Sequence, residues 1–467
     1  MFSILPIVKS DCRRLFITVA ALLCAPFFDS SSRADTPLSA TGRLDLSGVQ
    51  ALESDSAKED PGFQGQLKVD ANGSSLRFHS WLEGVWDGSV ARPPKDHRLF
   101  KDYDRVYQSN TPYLEFKELY VSWSANSADL RAGIQRFAWG RIDEYPSNDL
   151  LNPWDFSKFP AKPLEDRKIG VPSLSASLTR GDWTVDTVWV PVFVPYRLPL
   201  PQERWSGSQI AAALLQVPGA DIEVKEPDLP ERTVRNSTVG MRAKYLGAVE
   251  WTLNLFHGYD PRPIFKTTTL SIVPAGNTLV IDPGYVPDFH RITTVGIDAA
   301  AVKGDWSLRA EASYGFHRYF NIRNELWGYP EAPAPGIYPL NEIEQVHDSV
   351  EYGLGADYRL FEDGQLTLQA QQSAVLGNID LLYEKRFETI LWANLKAGYM
   401  NQKIETNLSL AWNPEHDDHM MKANAWYVFT DAWKAGLTYT AFNGSGQSYF
   451  GRYSRNDEGE AEIRYSW

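Results

Sequence analysis

The densest group of metal-ligand side-chain types in this 467-residue sequence is His416-Asp417-Asp418-His419. Imidazole and carboxylate bind divalent transition metals. The four stand in a row just before Met420, however, where a short solvated loop gives them an ordinary role without an ion. The histidines elsewhere, His79, His97, His257, His290, His317 and His347, fall at no ligand spacing. No Gly-x-Ser-x-Gly, no His-Glu-x-x-His and no phosphate-cradling glycine loop occurs. The sequence therefore predicts no enzyme, no resident cofactor and no metal.

A larger set of reactive side chains recurs at every second position. Basic members are Arg131, Arg242, Lys244, Arg309, Arg359, Lys396, Lys422, Lys434 and Arg464, and acidic members are Asp186, Glu250, Asp298, Glu311, Glu351, Asp357, Glu405, Glu460 and Glu462. Gln135 shares the same phase. The signs balance, so a lumen lined by them lacks the one-sign field that steers a single class of ion. Cross-strand ion pairs stiffening a wet wall are the plainer reading.

Those side chains need strands to carry them. In the stretch 306–316, Trp306, Leu308, Ala310, Ala312, Tyr314 and Phe316 fall on one face, and Ser307, Arg309, Glu311, Ser313 and Gly315 on the other. The same period recurs over 249–255, 350–360, 404–412 and 433–441. Aromatic rings at the ends of an otherwise aliphatic stripe suit a strand that crosses lipid, with rings at the two interfaces. Tight-turn residues at Asn72-Gly73, 125–128, Arg180-Gly181-Asp182, Leu246-Gly247, Lys303-Gly304-Asp305, Glu362-Asp363-Gly364, Asn401-Gln402 and Thr430-Asp431 mark eight hairpins. One strand before them, near 40–52, and one after, near 460–467, give a transmembrane antiparallel up-and-down β-barrel of about eighteen strands, with sixteen to twenty as the range. Short turns then face the periplasm, and long connections near 87–112, 141–168, 194–235, 259–289 and 319–347 face outside. Residues 207–217, with Ile210 to Leu215 apolar, read as one or two helical turns inside the third of these.

The first 34 residues read as a secretory signal: Lys9, Arg13 and Arg14, an apolar run over 15–28, then Ser32-Arg33-Ala34. The barrel is expected to occupy 35–467. Removing the signal takes four basic and two acidic residues, so the net charge of −13 becomes −15. Both cysteines, Cys12 and Cys24, leave with it, and with them any disulfide, thiolate metal site or haem-attachment motif. The acidic balance argues against nucleic acid as a partner. At the other end, Ala461, Ile463, Tyr465 and Trp467 alternate with charged or polar residues. A terminal aromatic on an amphipathic strand, here Tyr465 and Trp467, resembles the signal read by the barrel-assembly machinery.

Leu130-Arg131-Ala132-Gly133-Ile134-Gln135-Arg136-Phe137-Ala138-Trp139-Gly140, followed by Asn148-Asp149-Leu150-Leu151-Asn152-Pro153-Trp154-Asp155, resembles a "GxQxxxWG…NDxxNPxD" signature of porin-like Gram-negative outer-membrane proteins, with a distant similarity to alginate-export barrels of eighteen strands. The resemblance implies an outer-membrane location and transfers no substrate. Asn152-Pro153 suits a turn, and Asn148, Asp149, Asn152 and Asp155 have side chains that cap local backbone. These four are candidates for a loop that constricts the pore, or for a loop tied down by its own hydrogen bonds. The function expected is a passive channel for small hydrophilic solutes or ions, with pore-lining candidates Arg131, Gln135, Arg242, Lys244, Glu250, Arg309, Glu311, Arg359, Lys396, Glu405, Lys434 and Arg464. Two other readings share the architecture: a barrel sheathing a multihaem cytochrome in an electron conduit, and an exopolysaccharide export pore with periplasmic machinery. Lipid bilayer and lipopolysaccharide are the surroundings each reading requires.

Overall fold

A computed structural model describes residues 38–52, 59–88, 99–107, 111–159, 162–199, 204–206, 226–266, 269–275, 278–282, 286–323, 334–339, 344–446 and 448–467. The signal segment 1–34 and the apolar stretch 207–217 lie outside the described residues.

Eighteen strands form one closed antiparallel sheet. In chain order they are β1 (Leu38–Ala51), β2 (Glu59–Asn72), β3 (Leu76–Asp87), β4 (Tyr113–Ala125), β5 (Ala128–Gln135), β6 (Val171–Arg180), β7 (Trp183–Val190), β8 (Thr238–Tyr245) and β9 (Glu250–Tyr259). The second half comprises β10 (Arg291–Lys303), β11 (Trp306–Asn321), β12 (Glu344–Phe361), β13 (Gly364–Val375), β14 (Phe387–Tyr399), β15 (Ile404–Asn413), β16 (Asp418–Thr430), β17 (Trp433–Asn443) and β18 (Glu458–Ser466). Each strand pairs with its neighbours in sequence, and β1 closes the barrel on β18 from Arg43↔Ser466 to Ala51↔Glu458. Closure satisfies every strand edge internally, as a sheet in lipid requires.

All eight expected hairpins are present. Gly181 and Gly304 take φ of 58° and 61°, the left-handed conformation such turns need. The 400–403 turn puts Met400, Asn401 and Gln402 all at positive φ. The long connections carry structure of their own. Ile264–Lys266 pairs with Val286–Asp288, and Thr269–Ala275 is flanked by Thr278–Asp282 and Gly336–Pro339 in a small three-stranded sheet.

The outward face follows the apolar phase. Leu354 (63% exposed) and Leu437 (67%) sit mid-strand with nothing of the chain over them. Near the short turns, Trp183, Tyr245 and Trp251 cluster, Trp306 packs on Tyr358 with centroids 4.5 Å apart, and Trp433 packs on Tyr465 at 4.7 Å. That row is an interfacial aromatic girdle. Replacing Leu354 with Arg is expected to cost about 2–4 kcal/mol in equilibrium folding into lipid vesicles. The same change at inward-facing Gln365 should cost little; equal costs would sink the lipid-facing assignment.

The buried apolar core lies inside the barrel's outer half. Trp139, Leu151, Ile169, Val171, Val188, Val190, Val194, Phe256 and Ile292 form one cluster, and Phe159, Trp205, Ile390, Met420, Phe442, Phe450 and Tyr453 another. In both, a loop residue meets strand residues, because a loop has folded inward.

Candidate functional site

The loop between β5 and β6, residues 136–170, runs through the barrel interior. Asn152 fixes its neck: its Oδ1 accepts from the Phe137 amide at 2.6 Å, and its Nδ2 donates to the Gln135 and Ile169 carbonyls at 3.0 and 2.8 Å. One side chain thereby ties the exit from β5 to the entry into β6. Lys168 closes the neck further, donating to the Phe137 carbonyl at 2.7 Å and pairing with Asp149. Burial pushes the Asp149 carboxyl up, against the pull of Lys168. Asp155 caps the next turn, its Oδ1 accepting from the Ser157 amide at 3.0 Å. Asn148 donates to the Ile297 carbonyl on β10 at 3.2 Å. All four constriction candidates are thus buried and spent on holding the loop's shape or its contact with the wall.

Apart from Asn148, the residues that reach the wall are others. Arg141 bonds Asp298 on β10 at 3.0 Å and Glu250 on β9 at 2.9 Å. Glu311 on β11 accepts from the Arg141 amide at 2.6 Å, the Ile142 amide at 3.2 Å, the Ser147 amide and the Ser147 hydroxyl. Arg309 holds Asp143 and Asp357, each at 2.9 Å, and Gln369 on β13 bonds the backbone of residues 143 and 144. On the β4 side, Arg136, next to the end of β5, reaches Glu118 at 3.1 Å, and Lys117 donates to the Asp166 carbonyl at 3.1 Å. Phe159 packs among Ile390, Met420 and Phe442 of β14, β16 and β17. The loop is braced on opposite walls.

Its outer end sits on a buried charge cluster. Arg197, from the β7–β8 connection, bonds Glu115 at 2.9 Å and Asp155 at 3.0 Å. Asp155 also takes Lys162 at 2.8 Å and Lys101 at 3.7 Å, and Lys117 lies 3.3 and 3.4 Å from Glu83 and Glu115. Burial alone would raise the Asp155 carboxyl, but Lys162, Lys101 and Arg197 hold it well below the usual carboxylate range. Lys101 goes the other way: burial, then repulsion from Arg197, brings its ammonium down to about 7 against the pull of Asp155 and Glu115.

Lys101 sheds its proton near neutrality when folded and near 10.4 when unfolded. Between these values the unfolded chain binds more protons, so stability rises with pH from about 7 toward 10. Lys101→Met should flatten that rise, read as the thermal midpoint of the detergent-solubilised barrel against pH. An unchanged slope would dismiss Lys101 as its source.

The remaining pore-lining candidates lie on the inward phase, all but Gln135 closer to the short turns. Arg242 and Lys244 share Asp186 at 2.8 and 3.3 Å, Glu405 pairs with Lys434 at 3.0 Å, and Arg464 takes Asp45 and Glu462. Lys434 and Arg464 both stand 4.7 Å from the Trp426 ring, and Arg131 lies 5.5 Å from that of Tyr120. Gln135 is buried against Ser173 and Ser175. Arg359 and Lys396 are exposed, with no carboxylate within 4.0 Å among the described residues. In the His416–His419 row, His416 pairs with Glu388 at 3.3 Å, while Asp418 accepts from the Phe450 and Gly451 amides.

Sequence reasoning did not single out Arg141, Arg197, Lys101, Glu115 or Lys117. Glu115 and Lys117 two apart on one strand face, opposite Glu83, are the only local hint of a buried charge cluster, because their partner Arg197 is 82 residues from Glu115.

A family described as "Protein of unknown function (DUF1302)" matches residues 64–467. No curated protein matches the chain. Among solved structures, the chain is similar to OccAB1 of Acinetobacter baumannii, with 9% identity, coverage of 94% of this chain and 98% of that one, and a TM-score of 0.47. It is also similar to OccK8 (OprE) of Pseudomonas aeruginosa, with 8% identity, 92% and 97% coverage and a TM-score of 0.46. A loop L8 deletion mutant of OmpT, an outer membrane protein of Vibrio cholerae, matches with 10% identity, 93% and 100% coverage and a TM-score of 0.39.

Proposed function

The chain belongs to the family of unknown function DUF1302, and from that premise we propose that it is an outer-membrane pore for small hydrophilic solutes, narrowed by its own inward loop. The observation that carries this reading is the pairing of two opposite surfaces on one closed sheet. The outward phase is aliphatic with an aromatic girdle. The inward phase is charged and polar on the half of the barrel nearer the short turns, including the exposed cations Arg359 and Lys396. A sheet of eighteen strands encloses a lumen wide enough for water unless loops fill it, and the polar lining keeps that lumen wet. The 136–170 loop then sets the bore. A barrel built to sheath a haem protein needs an interior left free for its guest, and here the chain's own loop is braced across it.

Purified protein reconstituted in planar bilayers is expected to give discrete conductance steps, smaller than those of an eighteen-stranded barrel with an empty lumen. Silent bilayers from protein shown to be folded would end the pore reading. Cell fractionation tests the location separately, with the chain expected in the outer membrane and its short turns in the periplasm.

A further inference from the structure

On the outward face of β8, β9 and β10, the rows of side chains change character abruptly. Met241, Leu253, Leu255, Val295 and Ile297 are exposed and apolar, with Leu255 opposite Val295 and Leu253 opposite Ile297. One row further from the short turns stand His257 and Thr293, joined Nδ1 to Oγ1 at 2.9 Å. Beyond them Tyr259 faces Arg291, whose guanidinium lies 5.3 Å from the ring. The next segment of chain, the single 3-10 turn Val234–Asn236, lies against this row: Arg291 donates to the Arg235 carbonyl at 2.6 Å, and the Tyr259 hydroxyl donates to Asn236 Oδ1 at 3.3 Å.

The polarity is what makes this edge unusual. Val234 is 78% exposed beside the exposed Arg235. Neither Arg235 nor Arg291 has a carboxylate within 4.0 Å among the described residues, whereas Arg232 is already taken by Asp104 at 3.0 Å. Glu231 is the remaining acid on this turn; its backbone carbonyl accepts from Asn236, and its carboxylate lies within 4.0 Å of neither arginine. Arg291 therefore stands over the Tyr259 ring with guanidinium donors to spare, and the exposed Arg235 and Val234 sit on the turn whose carbonyl it holds, one or two rows of about 7 Å above hydrocarbon level. A strongly polar group there is in the headgroup layer, where cations attract anionic lipid. Guanidinium forks match phosphate oxygens in pairs.

We infer that this edge binds the phosphate of an outer-leaflet lipid, a phosphorylated glycolipid of the lipid A type, with Arg235 and Arg291 holding the phosphate and Val234 seated among its acyl chains. The inference rests on the outer-membrane orientation proposed above, because only then do these rows face the outer leaflet.

The test uses the full mature chain, purified in detergent, with bis-phosphorylated lipid A as probe and native mass spectrometry as readout. Wild-type protein should retain lipid A, and the Arg235→Ala/Arg291→Ala double variant should retain at least about tenfold less. Folding of the variant is checked by its heat-dependent shift in gel mobility, and Arg291→Lys, which keeps charge but loses the fork, should fall between. Lipid A stripped of both phosphates should be retained no better than by the double variant, and millimolar inorganic phosphate should not displace the intact lipid. Equal retention by wild type and folded double variant, or equal retention of stripped and intact lipid A, would overturn the site. Conductance measured on the same preparation is independent: a silent barrel that retains lipid A loses the pore reading and keeps this one.

Discussion

Replacing Arg197 with Ala is expected to destabilise the inward loop by about 3–5 kcal/mol and to enlarge the unitary conductance. Arg197 is 2% exposed and joins Glu115 of the wall to Asp155 of the loop. Its removal leaves Glu115 with Lys117 at 3.4 Å and Asp155 with Lys162 and Lys101, but takes away the one group that bonds both buried carboxylates. The cost comes from two buried carboxylates that lose their guanidinium bonds, so Arg197→Met should behave as Arg197→Ala does. Arg197→Lys keeps the charge but cannot reach both carboxylates as a fork, and should lose less.

Two controls make the prediction specific. Arg232 and Asp104 also stand 3.0 Å apart, but their side chains are 67% and 47% exposed, so Arg232→Ala should cost at most about 1 kcal/mol. The second control is pH. Repulsion from Arg197 is the second cause of the lowered Lys101 pKa, after burial. Without Arg197, the Lys101 ammonium returns toward its ordinary range, and the rise in stability above pH 7 should shrink. Thermal midpoints of the solubilised variants, measured across pH, check both. A loss below 1 kcal/mol with unchanged conductance would show that the cluster does not hold the loop.

The elements that could be read from the sequence are those whose cause is local. Alternation along one strand decides which side chains meet lipid, and a turn such as Lys303-Gly304-Asp305 decides where the strand reverses, so the barrel, its hairpins and the inward phase of Arg309, Glu311 and Arg464 followed from neighbours a few residues apart. The loop's interior course did not. Asn152-Pro153 marks a turn in any setting, and nothing near it in sequence says that Asn152 will clamp two strand ends 17 residues away on either side. The β3–β4 pairing hid the charge cluster further. The register shifts between Trp81 and Leu82, so Trp81 faces Glu118 while Leu82 faces Phe116 and Lys117 is the extra residue. Strict alternation assigns Lys117 and Glu118 to opposite faces, and the bulge brings both to the interior.

Removing the carboxylate of Glu311 tests the far post of the same loop. Three backbone amides and a hydroxyl converge on it, and each unmet buried donor costs about 1–3 kcal/mol. Lumen water will recover part of that sum, so Glu311→Ala should cost about 2–4 kcal/mol in loop stability. Gly140 supplies an independent route to the same outcome. Its φ is 88°, and a Cβ there would lie 2.6 Å from Glu311 Oε2, so Gly140→Ala forces the loop off this post while leaving the carboxylate in place. Both variants should retain the wild-type melting of the barrel wall, because every strand pairing is intact, yet show noisier and larger openings. Arg197 and Glu311 share no partner, so their losses should add within about 0.5 kcal/mol. A double variant whose conductance exceeds either single variant would mean that the loop swings free only when both walls release it. Wild-type conductance in all three would place the solute path away from the loop.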